Sequence, residues 1–188
     1  MMLSEQEMID SDFDDLSDSD ILVMLIIDEK RPVLKTRLQK LSLLYHELYD
    51  KTTNVTDHGA YFFGGYSDDI DESANNLTDM GILEETKNGY SLTEYGHKLR
   101  QFILEEYDDE AQIEHVEKIK EAVSSIPDRN LVGLTYHFYD ETAVNSTIRE
   151  SVRKLNEASS YDGIPLKDYK KSDFESKLRS GSPIRRGV

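Results

Sequence analysis

The chain has 188 residues, 37% of them hydrophobic and 32% charged, with 22 basic side chains against 38 acidic ones and a net charge of −16. That length fits one domain with a helical attachment, or two small domains, and the low apolar share implies a modest core with disordered ends. Cysteine is absent, which excludes disulfide frameworks, thiolate zinc sites and cysteine nucleophiles.

The longest apolar run, Ile21 to Ile27, is seven residues, against roughly 20 needed to cross a bilayer. With no basic-then-apolar leader at the start, a soluble cytoplasmic protein without a membrane partner is expected. Residues 1–20 hold eight acids and no base, so residues 1–16 read as an acidic disordered arm. Lys167 to Val188 holds seven bases against three acids. The two ends are opposite in sign.

Ser17 followed by Asp18 and Asp20 is a helix start, because the hydroxyl caps free amides and the carboxylates oppose the positive end of the dipole. A first, buried helix is expected from Asp18 to about Asp28. Pro32 breaks it. From about Val33, Leu34, Leu38, Leu41, Tyr45 and Leu48 recur at helical spacing and predict a second, amphipathic helix. The stretch from Lys51 to Tyr66, with three glycines and Tyr61, Phe62, Phe63 and Tyr66, reads as a structured loop or short strand packing in the core.

Ser67 caps a third helix running to about Met80, with Ile70, Ala74 and Leu77 on one face and Gly81 to end it. Ile82 to Thr86 and Tyr90 to Leu92, joined through Lys87-Asn88-Gly89, form a hairpin signature. Thr93 caps the next helix, whose apolar side is Leu99, Phe102 and Ile103. Ile113, Val116, Ile119 and Val123 suit another helix ended by Pro127; Leu131, Leu134 and Phe138 suit one more. Ile148, Val152 and Leu155 suit a last one, capped near Asn145 or Ser146. From about Ala158 apolar periodicity fades into a flexible basic tail.

The fold class expected is therefore mainly α with a small β-hairpin. Helix, helix, helix, hairpin, helix is the order of a winged helix-turn-helix domain, here residues 17–107, followed by a helical extension over 108–157 and the tail over 158–188. Gly81-Ile82-Leu83 and then Tyr90-Ser91-Leu92-Thr93-Glu94-Tyr95-Gly96 resemble the helix exit and wing of such domains. Leu38-Gln39-Lys40-Leu41-Ser42-Leu43-Leu44-Tyr45 and Gly64-Gly65-Tyr66-Ser67-Asp68 are similar to segments of the uncharacterised prokaryotic YwgA-type family and, more distantly, of the Panacea antitoxin domain. In this chain Gly65 stands where a proline is usual, and Arg37 where a lysine is. The winged-helix order implies a DNA-associated regulator, the distant resemblance a toxin-antitoxin or defence setting, and a dimer is expected.

Double-stranded DNA would need bases on the third helix and the wing. The third helix holds five carboxylates and no base, leaving Asn75 and Asn76 to read base edges, with Lys35, Arg37 and Lys40 on the second helix and Lys87 on the wing to meet phosphate. A continuous positive stripe through those four would mark a DNA surface. The alternative is a non-enzymatic winged-helix adaptor whose acidic third helix binds a basic protein partner and no DNA. A homodimer would pair through Leu99, Phe102, Ile113, Val116 and Val123; packing within one chain explains them equally well.

No enzymatic site is evident. The five histidines fall in no metal-binding spacing. Asp10, Asp12 and Asp14 resemble the start of a calcium loop, but its glycine and terminal glutamate positions hold Asp15 and Ile21. Neither a phosphate-loop Gly-Lys-Ser/Thr ending nor a Gly-x-Ser-x-Gly elbow occurs. No cofactor or metal is expected.

Overall fold

A computed structural model describes residues 4–50, 65–139 and 147–187. The aromatic cluster Tyr61, Phe62 and Phe63 and the expected cap at Asn145 or Ser146 lie outside the described residues. Nine α-helices and two antiparallel two-stranded hairpins occur among them.

The core is organised on α2 (Asp18–Ile26), whose residues 22–27 are all essentially without solvent contact. Ser17 and Asp20 close a reciprocal capping box, Asp20 N donating to Ser17 Oγ at 3.1 Å and Ser17 N to Asp20 Oδ2 at 2.9 Å. Burying each such leucine or isoleucine is worth about 1.5–3 kcal/mol, so this run supplies much of the core. Around it pack α3 (Lys35–Tyr45), which continues as a π-helical turn (His46–Asp50), α4 (Asp68–Asp79), α5 (Glu94–Glu106) and α6 (Glu110–Ala122).

The exit from α4 is a Schellman turn. Ile82 N donates to Leu77 O at 2.9 Å and Gly81 N to Thr78 O at 3.0 Å, with Gly81 in the left-handed region at φ +72°. β1 (Leu83–Thr86) and β2 (Gly89–Leu92) then pair in register from Leu83 opposite Leu92 to Thr86 opposite Gly89. The turn is thus Lys87-Asn88, and Gly89 is already in the ladder. Its φ of +113° admits glycine, and a Cβ there would lie 2.3 Å from Val33 O. That approach exists because Val33, between α2 and α3, pairs with Tyr90 through bonds of 2.8 and 2.9 Å, adding a one-residue third strand to the hairpin. Thr93 closes the unit, its Oγ1 accepting from Gly96 N at 3.0 Å and donating to Gly81 O at 2.7 Å.

Both ends expected to be disordered are folded in the described residues. In place of the acidic arm there is α1 (Glu5–Asp15), started by a Ser4–Glu7 capping box. It lies on α5, with Ile9 buried and Phe13 edge-on to Phe102 at 5.2 Å. The calcium-like aspartates are part of this helix. Asp12 accepts from the Tyr95 hydroxyl, and Glu5 pairs with Lys98. In place of the basic tail, β3 (Ser160–Tyr161) and β4 (Ile164–Pro165) form a second hairpin. A 3₁₀ turn (Leu166–Asp168) and α9 (Lys171–Ser180) follow. Phe174, Leu178 and Ile184 are fully buried; α9 packs on α6, and Ile184 N donates to Ala122 O at 2.9 Å.

Between these parts lie α7 (Asp128–Phe138) and α8 (Arg149–Glu157). Pro127 occupies the cap position of α7 and does not end α6, which stops at Ala122. No described helix is long and apolar enough to cross a membrane.

Candidate interaction surfaces

The exposed side of α4 carries Asp68, Asp69, Glu72, Asn75, Asn76 and Asp79, and the adjoining hairpin adds Glu84, Glu85 and Lys87. This face is acidic because α4 turns its few apolar residues, Ile70, Ala74 and Leu77, inward with Ser73 and leaves four of its five carboxylates, Asp68, Asp69, Glu72 and Asp79, to solvent. Asn75, Asn76 and Lys87 are exposed as expected. They share α4 and the hairpin with six exposed carboxylates.

The other three cations named for DNA contact do not join Lys87 in a stripe. Arg37 is a core residue. Its guanidinium donates to Val123 O, Ile126 O and Asp128 Oδ1, each at 2.9 Å. It thereby ties α3 to the corner where α6 ends and α7 begins, a corner whose carbonyls no helix satisfies. With 8% of its surface exposed, it is not presented to a phosphate. Lys40 is 2% exposed; its Nζ donates to Gly65 O at 3.3 Å and lies 5.6 Å from the centre of the Tyr136 ring. Lys35 is at the surface but ion-paired with Asp71 of α4 and placed 5.7 Å from the Tyr66 ring centre. Burial works against its charge, yet the bonds to Asp71 and Tyr66 prevail and hold Lys35 above the usual lysine range. Burial and Asp71 push the Tyr66 hydroxyl up to about 12.

Burial has the opposite net result at Lys40, lowering it to about 8. The unfolded chain holds that proton up to about 10.5, so between pH 8 and 10 it binds more protons than the folded chain and stability increases with pH. Unfolding free energy from urea titrations should rise across that window by at most about 1.4 kcal/mol per pH unit. Lys40→Met should flatten the slope. Above pH 10 the trend reverses, because burial raises Tyr90, Tyr139 and Tyr161 in the folded state.

The residues named for a dimer are also placed elsewhere. Leu99, Val116 and Val123 are at most 2% exposed within a single chain. Phe102 and Ile113 are half-buried and packed against the same core. These five are intramolecular core contacts, and a dimer would have to use another surface.

A polar network that sequence reasoning missed closes the C-terminal end of α2. Arg100, 5% exposed, donates to Met24 O at 3.1 Å and pairs with Glu29 and Glu117; Lys120 donates to Leu25 O at 3.0 Å and to Glu117 at 2.8 Å. Its members come from three separate stretches of chain, so no local spacing announces it. It serves the fold, because cations satisfy the last carbonyls of a helix that carries no base of its own. No group of histidine and acidic side chains suited to a metal occurs among the described residues.

Comparison with known proteins gives no match to a family model, to a curated protein or to a solved structure.

Proposed function

We propose that the chain is a non-enzymatic, winged-helix-type interaction module that docks a basic protein segment on the face formed by α4 and the β1–β2 hairpin. The order α2, a strand residue at Val33, α3, α4, hairpin, α5 supports the winged-helix reading. The observation that carries the function is the charge of the face: six exposed carboxylates around Lys87, with Arg37 and Lys40 withdrawn into the core. A polyanion approaching it would be repelled, and a basic segment attracted.

The experiment is a salt series with two probes, a lysine-rich peptide and a random-sequence duplex DNA, on wild type and on an Asp68→Asn, Asp69→Asn, Glu72→Gln, Asp79→Asn variant. The peptide should bind at low salt, weaken as salt screens the face, and lose most of its affinity to the variant. DNA should not bind. The second reading, a DNA-associated regulator of the toxin-antitoxin or defence kind, draws support from the exposure of Asn75, Asn76 and Lys87. Salt-sensitive duplex binding abolished by Lys87→Gln would establish it in place of the first.

A further inference from the structure

Away from the acidic face, α7 and α8 lie antiparallel, Val152 packing with Tyr136 and Asn156 Nδ2 donating to Gly133 O at 2.9 Å. Gly133 permits this approach, since a Cβ there would fall 2.4 Å from Asn156 Oδ1. The 3₁₀ turn 166–168 packs on α8. Together they enclose a cleft of about 320 Å³, with Tyr136, Val152 and Leu166 among its lining and Arg149, Arg153 and Lys167 alongside them.

Two features separate this cleft from the rest of the molecule. The first is its sign: three permanent cations line it against one carboxylate, Glu157, in a chain whose net charge is −16. The second is which cations are free. Arg153 is engaged by Glu150, at 2.8 and 3.0 Å, and by Glu157. Arg149 and Lys167 are exposed and make no ion pair among the described residues. Arg149 also opens α8, where the helix dipole disfavours a cation, and Ile148 at the cap position supplies no side-chain acceptor. Both circumstances leave positive potential to be met by an anion from outside.

We propose that this cleft binds a small organic phosphate of mononucleotide size, the phosphate held by Arg149 and Lys167 and the ring lying between them against Tyr136 and Val152. The volume lies at the lower end of the range for small-molecule sites, roughly 300–1,000 Å³. A doubly charged phosphate matches two unpaired cations, and a guanidinium can address it through two parallel bonds. An apolar floor beneath a cationic rim suits a molecule with one charged end. Neither the cations nor the lining of this cleft belong to the acidic face.

The test uses the full chain and four nucleoside monophosphates, AMP, GMP, CMP and UMP, with adenosine and inorganic phosphate as controls, read by calorimetry and by thermal shift. At least one monophosphate should bind and raise the melting temperature, and adenosine should bind at least about tenfold more weakly, the loss expected for a charge-assisted phosphate contact. An Arg149→Gln, Lys167→Gln variant should keep the wild-type circular dichroism and unliganded melting temperature, since neither side chain supports the fold. Its affinity should drop about tenfold or more. Absence of binding by all four monophosphates overturns the proposal. So does equal binding of adenosine and AMP, or undiminished binding by the double variant.

Discussion

Phe174→Ala is expected to destabilise the protein by about 3–5 kcal/mol, the range for removing a fully buried phenylalanine from a packed core. Phe174 is 0% exposed and stacks on Phe138 of α7 with ring centres 4.6 Å apart and planes 16° from parallel. α9 also packs on α6. Truncation leaves a cavity bounded by two helices that their own neighbours hold in place, so little collapse can offset the loss. Urea unfolding followed by circular dichroism measures it. If residues 158–188 were a solvated tail, the substitution would change stability by less than about 0.5 kcal/mol, and that result would refute the packing described for α9.

Arg37→Leu is expected to cost about 1–3 kcal/mol, although a surface arginine replaced in this way ordinarily costs almost nothing. The leucine retains apolar volume but leaves Ile126 O without its donor, while Val123 O keeps the bond from Ile126 N at 3.0 Å. An unsatisfied buried acceptor costs about 1–3 kcal/mol. Asp128 is about one-third exposed and can turn to water, so its share of the loss is small. Lys87→Gln, at an exposed position of the hairpin turn, is the matched control and should lie within about 0.5 kcal/mol of wild type. The pattern also warns against reading nucleic-acid experiments on Arg37 variants as contact data, since any loss would report unfolding.

Elements specified by neighbouring residues were legible in the sequence. Ser17 with Asp20, Ser67 before α4, the Gly81 exit, and Thr93 before α5 each act within three or four positions, and all stand where the sequence placed them. The ends are folded where composition predicts disorder, because their apolar residues are sparse, though not unpatterned. Ile9 and Phe13, and Phe174 and Leu178 with Gly181 beyond them, sit at helical spacing. Ser4 and Glu7 spell a capping box. What outweighed those signals was charge density, which reports solvation of one side of a helix and says nothing of the other.

The candidate surface was legible in composition and not in placement. The acidity of α4 could be read directly, because its apolar residues share one face. The burial of Arg37 and Lys40 could not, because a basic residue on an amphipathic helix is assigned to solvent unless a partner is visible. The partners of Arg37 lie 86 to 91 residues further along the chain. The same holds for the cleft: Arg149 and Lys167 are 18 residues apart in sequence, on either side of a hairpin that the sequence did not announce.

One helix meets both ends of this arrangement. Lys35, in the first turn of α3, grips Asp71 on the underside of the acidic helix, and Lys40 lies against Tyr136, which lines the cleft. α3 is therefore a common shaft between two surfaces of opposite charge. Whatever factor an occupant of the cleft imposes on the affinity of the α4 face, an occupant of that face must impose the same factor on the cleft. Titrating a basic peptide with and without a monophosphate, and the monophosphate with and without the peptide, measures that one factor from both sides, and a factor of one means that the two surfaces do not communicate.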